Sequence, residues 1–258
     1  MSILQEIVTA KIEEIEVKKK ILPESILVDS PFFTRLPKSM AEAVRHTKPG
    51  IISEFKRKSP SRENININAS PSEVIPSYVE NGAAAVSILT DAQFFGGSTE
   101  DIRNSRSICK LPILRKDFIL DTYQILESKA IGSDCILLIA EILSKKQVLE
   151  LSSFAFSLGL EILLEVHSED QLEKLCDHIS IVGVNNRNLI TFKTSTDTSK
   201  AIFPKLPHSK TLISESGLNE SAKIKELIDL GYDGFLIGEY FMKEENPGDK
   251  LKSLIKQI

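Results

Sequence analysis

Cys135-Ile136-Leu137-Leu138-Ile139 follows Gly132-Ser133-Asp134 and gives way to Ala140-Glu141, so an unbroken apolar run stands between polar flanks. A half-buried strand would alternate apolar and polar side chains. A run with no polar position needs cover on both faces, as a parallel strand between helices has. Ala84-Ala85-Val86-Ser87-Ile88-Leu89 has nearly the same character, and working outward, strand-forming runs recur at 51–56, 84–89, 112–116, 134–139, 160–166, 181–185, 211–215 and 233–238. Between them lie helix starts: Ser144 before Lys145-Lys146-Gln147, Ser168 before Glu169-Asp170-Gln171, and Asn219 before Glu220-Ser221-Ala222. Gly82, Gly132, Gly159 and Gly231 stand where those helices should stop. Eight strand-helix units in succession predict an α/β (β/α)8 TIM barrel, with an open doubly wound sheet as the alternative.

The residues ahead of the first strand are extra to such a barrel. Ile3, Leu4, Ile7, Val8, Ile12 and Ile15 recur at helical spacing, Pro23 interrupts, and a shorter helical piece follows around Lys38 to His46. The expectation is one domain over 1–258, with 1–48 as a helical extension capping the barrel. Ser59 to Ser72, polar and rich in Asn, reads as a mobile loop.

Composition narrows the function. Among 258 residues, 32 basic side chains are scattered among 36 acidic ones for a net charge of −4, which gives no reason to expect a nucleic-acid surface. Cys109, Cys135 and Cys176 are odd in number and widely spaced, so buried free thiols in a reducing compartment are expected. His46, His167, His178 and His208 form no close pair, and no metal site is expected. Charged residues interrupt every apolar stretch before it reaches spanning length, so no membrane association and a cytoplasmic location are expected.

Chemistry should then collect at the C-terminal ends of the strands. Ile51-Ile52-Ser53-Glu54-Phe55-Lys56-Arg57-Lys58-Ser59-Pro60-Ser61 begins as a strand and ends in charge. If it stays extended, Glu54, Lys56 and Lys58 share one face, with Phe55 and Arg57 on the other. Taken alone, the segment also reads as a solvated edge strand. Lys116 ends the third run and Glu165 the fifth, where Glu161 shares its parity at the opposite end. The sixth closes with Val184-Asn185-Asn186-Arg187-Asn188 and the seventh with Ser214-Glu215-Ser216-Gly217. Ser216-Gly217 and Gly238-Glu239 fall where barrel enzymes hold phosphate on backbone amides, with the Glu239 side chain expected to point away. Clustered Lys56, Lys58 and Lys116 should lower one another's pKa, offset by Glu54 and Glu165.

In their order, Glu54-Phe55-Lys56-Arg57-Lys58-Ser59-Pro60-Ser61, Leu89-Thr90-Asp91 with Phe94-Phe95-Gly96-Gly97-Ser98, Leu114-Arg115-Lys116-Asp117-Phe118, Gly183-Val184-Asn185-Asn186-Arg187-Asn188-Leu189 and Ser214-Glu215-Ser216-Gly217 form a set. The chain resembles the indole-3-glycerol phosphate synthase family of tryptophan biosynthesis over nearly its whole length, extension included. It departs from the family at Lys58, in the loop Arg62-Glu63-Asn64-Ile65-Asn66-Ile67-Asn68, and at Tyr240-Phe241, where smaller residues are usual.

The resemblance implies closure of 1-(2-carboxyphenylamino)-1-deoxyribulose 5-phosphate to indole-3-glycerol phosphate, with loss of carbon dioxide and water and no cofactor. It implies Lys116 as general acid, Glu165 as base, Lys56 in the dehydration, Glu54 as an organising acid-base partner and Asn185 beside them. Arg187 would hold the carboxylate. Lys58, Ser59, Glu215, Ser216, Gly217, Gly238 and Glu239 would contact the rest of the substrate, the phosphate end included, and Phe94, Phe118 and Leu137 would wall the aromatic ring. The partner expected is this small anionic substrate. A monomer or weak oligomer is expected, with room for contact with other enzymes of the same pathway. A Schiff-base aldolase of the same fold and a non-catalytic phosphate binder are the rival readings.

Overall fold

The computed structural model describes residues 2–189 and 191–258. Three helices precede the sheet: α1 (Ile3–Ile21), α2 (Glu24–Val28) and α3 (Met40–His46). Then come β1 (Gly50–Phe55), α4 (Pro71–Glu80), β2 (Ala85–Leu89), α5 (Ala92–Phe95), α6 (Thr99–Ile108), β3 (Ile113–Lys116), α7 (Thr122–Ala130), β4 (Cys135–Ile139) and α8 (Lys145–Ser157). The second half holds β5 (Glu161–Val166), β6 (Ile181–Asn185), α9 (Asp197–Ile202), β7 (Thr211–Glu215), α10 (Ser221–Leu230), β8 (Gly234–Ile237), α11 (Glu239–Met242) and α12 (Pro247–Ile255). All neighbouring strands are parallel, and β1 pairs with β8 to close the barrel. After β5 the connection is a 3-10 helix, Glu169–Lys174, in place of an α-helix, and Ser168 makes no side-chain cap there. Ser144, by contrast, forms a full capping box with Gln147.

The apolar runs are continuous because each strand is buried on both faces. Ile51, Val86, Ile88, Ile136, Leu138 and Leu164 pack outward against the helices. Ile52, Ala85, Leu114, Leu137, Leu163, Ile213 and Leu236 fill the interior. Two residues beyond an interior side chain, the next inward position reaches the upper rim. That parity sets Glu54, Leu89, Lys116, Ile139, Glu165, Asn185, Glu215 and Gly238 in one ring, all of them lining the same cavity.

The lower rim is closed by α3, whose Met40, Ala41 and Val44 join the interior cluster. Glu161, at the start of β5, caps this helix: Ser39 Oγ donates to its carboxylate at 2.6 Å, and the Met40 and Ala41 amides at 2.6 and 2.9 Å. Glu161 thus serves stability at the lower rim, while its parity partner Glu165 stands at the upper rim. Glu161→Ala should cost about 2 kcal/mol, the scale of hydrogen bonds to a charged group. Urea unfolding should register that loss as a lower midpoint with an unchanged slope.

Candidate active site

Over the upper rim lies a cavity of about 310 Å3. One side of it is apolar: Ile3, Leu4 and Ile7 of α1, with Leu89, Phe95, Phe118, Leu137 and Ile139 from the barrel. Phe95 and Phe118 stand with ring centroids 6.0 Å apart. Phe94, named beside Phe118 and Leu137 in the sequence, is not in this lining. Asp91 caps the short α5 through the Phe94 and Phe95 amides, and the turn it sets brings Phe95 to the cavity.

The opposite side is charged. Lys116 Nζ donates to Glu165 Oε2 at 3.1 Å and lies 3.8 Å from Glu215 Oε2, while Lys56 Nζ donates to Glu54 at 2.7 Å. Glycines make room for the carboxylates: a Cβ on Gly183 would strike Glu215 Oε1, and one on Gly238 would strike Glu54. Asn185 accepts from the Arg187 amide at 2.9 Å and hydrogen-bonds Glu165. His167 Nε2 stands 3.5 Å from the other Glu165 oxygen. Behind Lys116, Arg115 is fully buried and binds Glu127 at 2.6 Å and Asp117 at 3.1 Å, so the end of β3 is locked onto α7.

This packing assigns the protons. Burial by itself would drive Glu165 up, but the Lys116 ammonium, His167 and the Asn185 hydrogen bond draw it down to about 2. Glu215 goes the other way, because burial and the charge of Glu165 outweigh Lys116 and hold its carboxyl protonated well above the usual range. Burial would lower Lys116, yet Glu165, Glu215 and Glu54 keep it above the ordinary lysine value. The expected lowering by neighbouring lysines is therefore overturned. Lys116 is packed among carboxylates, and Lys58 is elsewhere.

Lys58 leaves the site because β1 ends at Phe55 and the alternation outlasts it only as far as Lys56. Its ammonium donates to the Gln93 carbonyl at 2.7 Å, and it is absent from the cavity lining. Arg57 forms two hydrogen bonds to Asp101, at 2.5 and 3.0 Å, and serves the scaffold. Ser59 does line the cavity, in a turn where Ser59 and Arg62 exchange backbone hydrogen bonds of 2.9 Å. The following loop is pinned as well, with the Ile65 and Asn66 amides both donating to the Arg57 carbonyl at 3.0 Å.

At the β7 and β8 end, Ser216 and Gly217 both adopt left-handed backbone, with φ of 68° and 71°. A serine in this region carries strain of about 1 kcal/mol or more, typical of a turn whose amides are aimed for use. Gly238, Glu239 and Tyr240 line the same end, where α11 begins and its first amides lack intrahelical acceptors. The Glu239 side chain meets Arg62 at 2.9 Å and Arg187 at 3.8 Å. Arg187, which also donates to Ser61 Oγ at 3.2 Å, therefore reaches over to this end of the cavity.

Sequence reasoning missed the part played by α1, Phe95 and Lys243 in the lining. The helical apolar spacing of Ile3, Leu4 and Ile7 was visible, but the surface they cover comes from separate strand ends. Among the described residues no group of three or more His, Cys, Asp or Glu could hold a metal ion, and no helix is long and apolar enough to cross a membrane.

Comparisons with known proteins point to one family. The indole-3-glycerol phosphate synthase family model matches residues 4–254. The chain is 43% identical to an indole-3-glycerol phosphate synthase of Bacteroides thetaiotaomicron, across 99% of this chain and 98% of that one. It is 39% identical to one from Polaromonas sp., across 98% and 97%. Among solved structures, thiamine phosphate pyrophosphorylase from Pyrococcus furiosus superposes with a TM-score of 0.60 at 14% identity, covering 82% of this chain and 96% of its own. Tryptophan synthase subunit alpha from Legionella pneumophila superposes with a TM-score of 0.60 at 12% identity, covering 85% and 97%. At these identities the structural likenesses speak for the barrel alone.

Proposed function

The chain belongs to the indole-3-glycerol phosphate synthase family, and from that premise we propose how its residues divide the reaction. It is a carboxy-lyase that closes 1-(2-carboxyphenylamino)-1-deoxyribulose 5-phosphate to indole-3-glycerol phosphate, releasing carbon dioxide and water. The observation that carries the division of roles is Lys116 between an ionised Glu165 at 3.1 Å and a protonated Glu215 at 3.8 Å. Two acids and one base share one spot, which is what an addition followed by a dehydration needs.

The ring carbon that bears the carboxylate bonds to the ketone carbon, and the ketone oxygen takes a proton from the Lys116 ammonium. Carbon dioxide leaves from that ring carbon, and its bonding electrons restore the aromatic ring. The new hydroxyl then departs as water with a proton from Glu215, and the Glu165 carboxylate removes a proton from the carbon beside nitrogen. Asn185 orients Glu165, and Glu54 holds Lys56 where it can meet the substrate carboxylate. Arg187, given to the carboxylate in the sequence reading, acts at the phosphate with the Ser216-Gly217 turn and the first amides of α11. Its nearness to Glu239 and Ser61 supports that change. Phe95, Phe118 and Leu137 take the aromatic ring.

We also place the enzyme in a reducing compartment such as the cytoplasm, a reading supported by free thiols at Cys109, Cys135 and Cys176. Glu165→Gln tests the assignment of the base. In a single turnover, carbon dioxide should be released while indole fails to form, because the missing base acts after decarboxylation. Carbon dioxide and indole appearing together at the wild-type rate would remove Glu165 from that role.

A further inference from the structure

Lys11 takes no part in the chemistry above, yet its side chain is 1% exposed and its ammonium meets Glu14 at 2.7 Å, Asp91 at 2.9 Å and Asp117 at 3.0 Å. Burying a lysine is costly without such partners, and a Leu or Met at this position would satisfy packing alone. The partners are not arbitrary. Asp91 caps α5, accepting from the Phe94 and Phe95 amides at 2.7 and 3.3 Å. Asp117 follows Lys116 directly and accepts from the Phe118 amide at 2.8 Å. On α1, Leu4, Ile7 and Lys11 share a face at spacings of three and four, and Leu4 and Ile7 line the cavity. Three walls of the same apolar slot, α1, Phe95 and Phe118, are therefore tied to one ammonium.

We propose that Lys11 is a positioning residue that sets the width of the slot for the substrate's aromatic ring, by fixing α1 against the ends of β2 and β3. The proposal rests on assigning this end of the cavity to the ring. Apolar contact lets a helix slide along its axis, whereas an ammonium between two buried carboxylates fixes its advance. The pairing is strong enough that Asp117 and Asp91 overcome burial and hold Lys11 above the ordinary lysine range. Among the described residues, no side-chain hydrogen bond or ion pair joins Lys11, Asp91 or Asp117 to β7, β8 or α11, which build the phosphate end.

The test separates the two ends with two probes, anthranilate for the ring and inorganic phosphate for the other end, each as a competitive inhibitor of the full-length enzyme. Lys11→Met should raise KM and the inhibition constant of anthranilate by about ten-fold or more, the scale on which apolar pockets discriminate small changes of shape. The inhibition constant of phosphate should stay within about two-fold and kcat within about three-fold, since only uniform binding at one end is lost. Lys11→Arg should recover much of the anthranilate affinity. Should Lys11→Met fail to fold, Asp91→Asn keeps the α5 cap and removes one carboxylate, and it should shift anthranilate in the same direction by less. Anthranilate and phosphate weakening together, or neither changing in a folded variant, would overturn the proposal. Failure of anthranilate to compete in the wild-type enzyme would instead remove the ring from this end, and the proposal with it.

Discussion

Lys116→Met should lower kcat by about 10³- to 10⁴-fold, the loss that follows from the proposed role of its ammonium as general acid when a side chain of similar length carries no proton. The lesion reaches beyond the acid itself. Lys116 is the chief charge drawing Glu165 down to about 2, against a burial that pushes it up. With the ammonium gone, burial is opposed only by His167 and the Asn185 hydrogen bond, and Glu165 holds its proton to higher pH. The acid limb of the residual kcat/KM profile therefore moves upward, as the base is unavailable over a wider range. An activity loss with an unmoved acid limb would mean that Lys116 and Glu165 are not coupled as their 3.1 Å contact implies.

Glu215→Gln should trade activity for stability. In the folded enzyme burial and the charge of Glu165 keep this carboxyl protonated, whereas in the unfolded chain it ionises near 4.5. As pH rises through 4.5 the unfolded state releases a proton that the native state retains. Stability then falls with pH until the native carboxyl also ionises. Glutamine matches the neutral acid in shape and cannot ionise in either state, so the variant escapes that penalty. Its Tm should exceed that of the wild type at pH 7 to 8 and converge with it near pH 4, while kcat drops for want of the second acid. Such exchange of stability for a strained functional group is common at active sites. Equal Tm values at both pH extremes would show that Glu215 is ionised in the native state.

The barrel was legible because its strands are buried twice over. The sequence places this strand at 134–139 around the unbroken apolar Cys135–Ile139, and β4 spans Cys135–Ile139, one residue shorter. Gly231 ends α10 in left-handed backbone, with φ of 119°, where the sequence placed a stop. Strand parity also carried Glu54, Lys116, Glu165 and Glu215 to the rim, since period-two alternation holds for as long as the chain stays extended. It still held at Lys56, just past the end of β1, and failed at Lys58. What lay beyond local pattern was lost. Lys11 looks like one more solvated lysine on a helix face until Asp91 and Asp117, distant in sequence, converge on it. The Ser59 to Ser72 segment has a mobile composition, yet Arg62, Asn66 and the Arg57 carbonyl tie it to the barrel. The same loss explains the reversed sign at Lys116, because counting nearby lysines says nothing of how deeply the carboxyl groups of Glu165, Glu215 and Glu54 enclose one of them.

The enzyme converts an anthranilate-derived deoxyribulose phosphate to an indole. The chain contains no tryptophan, so indole fluorescence would rise against a tyrosine background alone. Mixing the purified enzyme with 1-(2-carboxyphenylamino)-1-deoxyribulose 5-phosphate should give a catalytic rise in indole emission that continues over many turnovers and stops when substrate is exhausted. Folded enzyme that consumes no substrate and produces no indole signal would contradict the account.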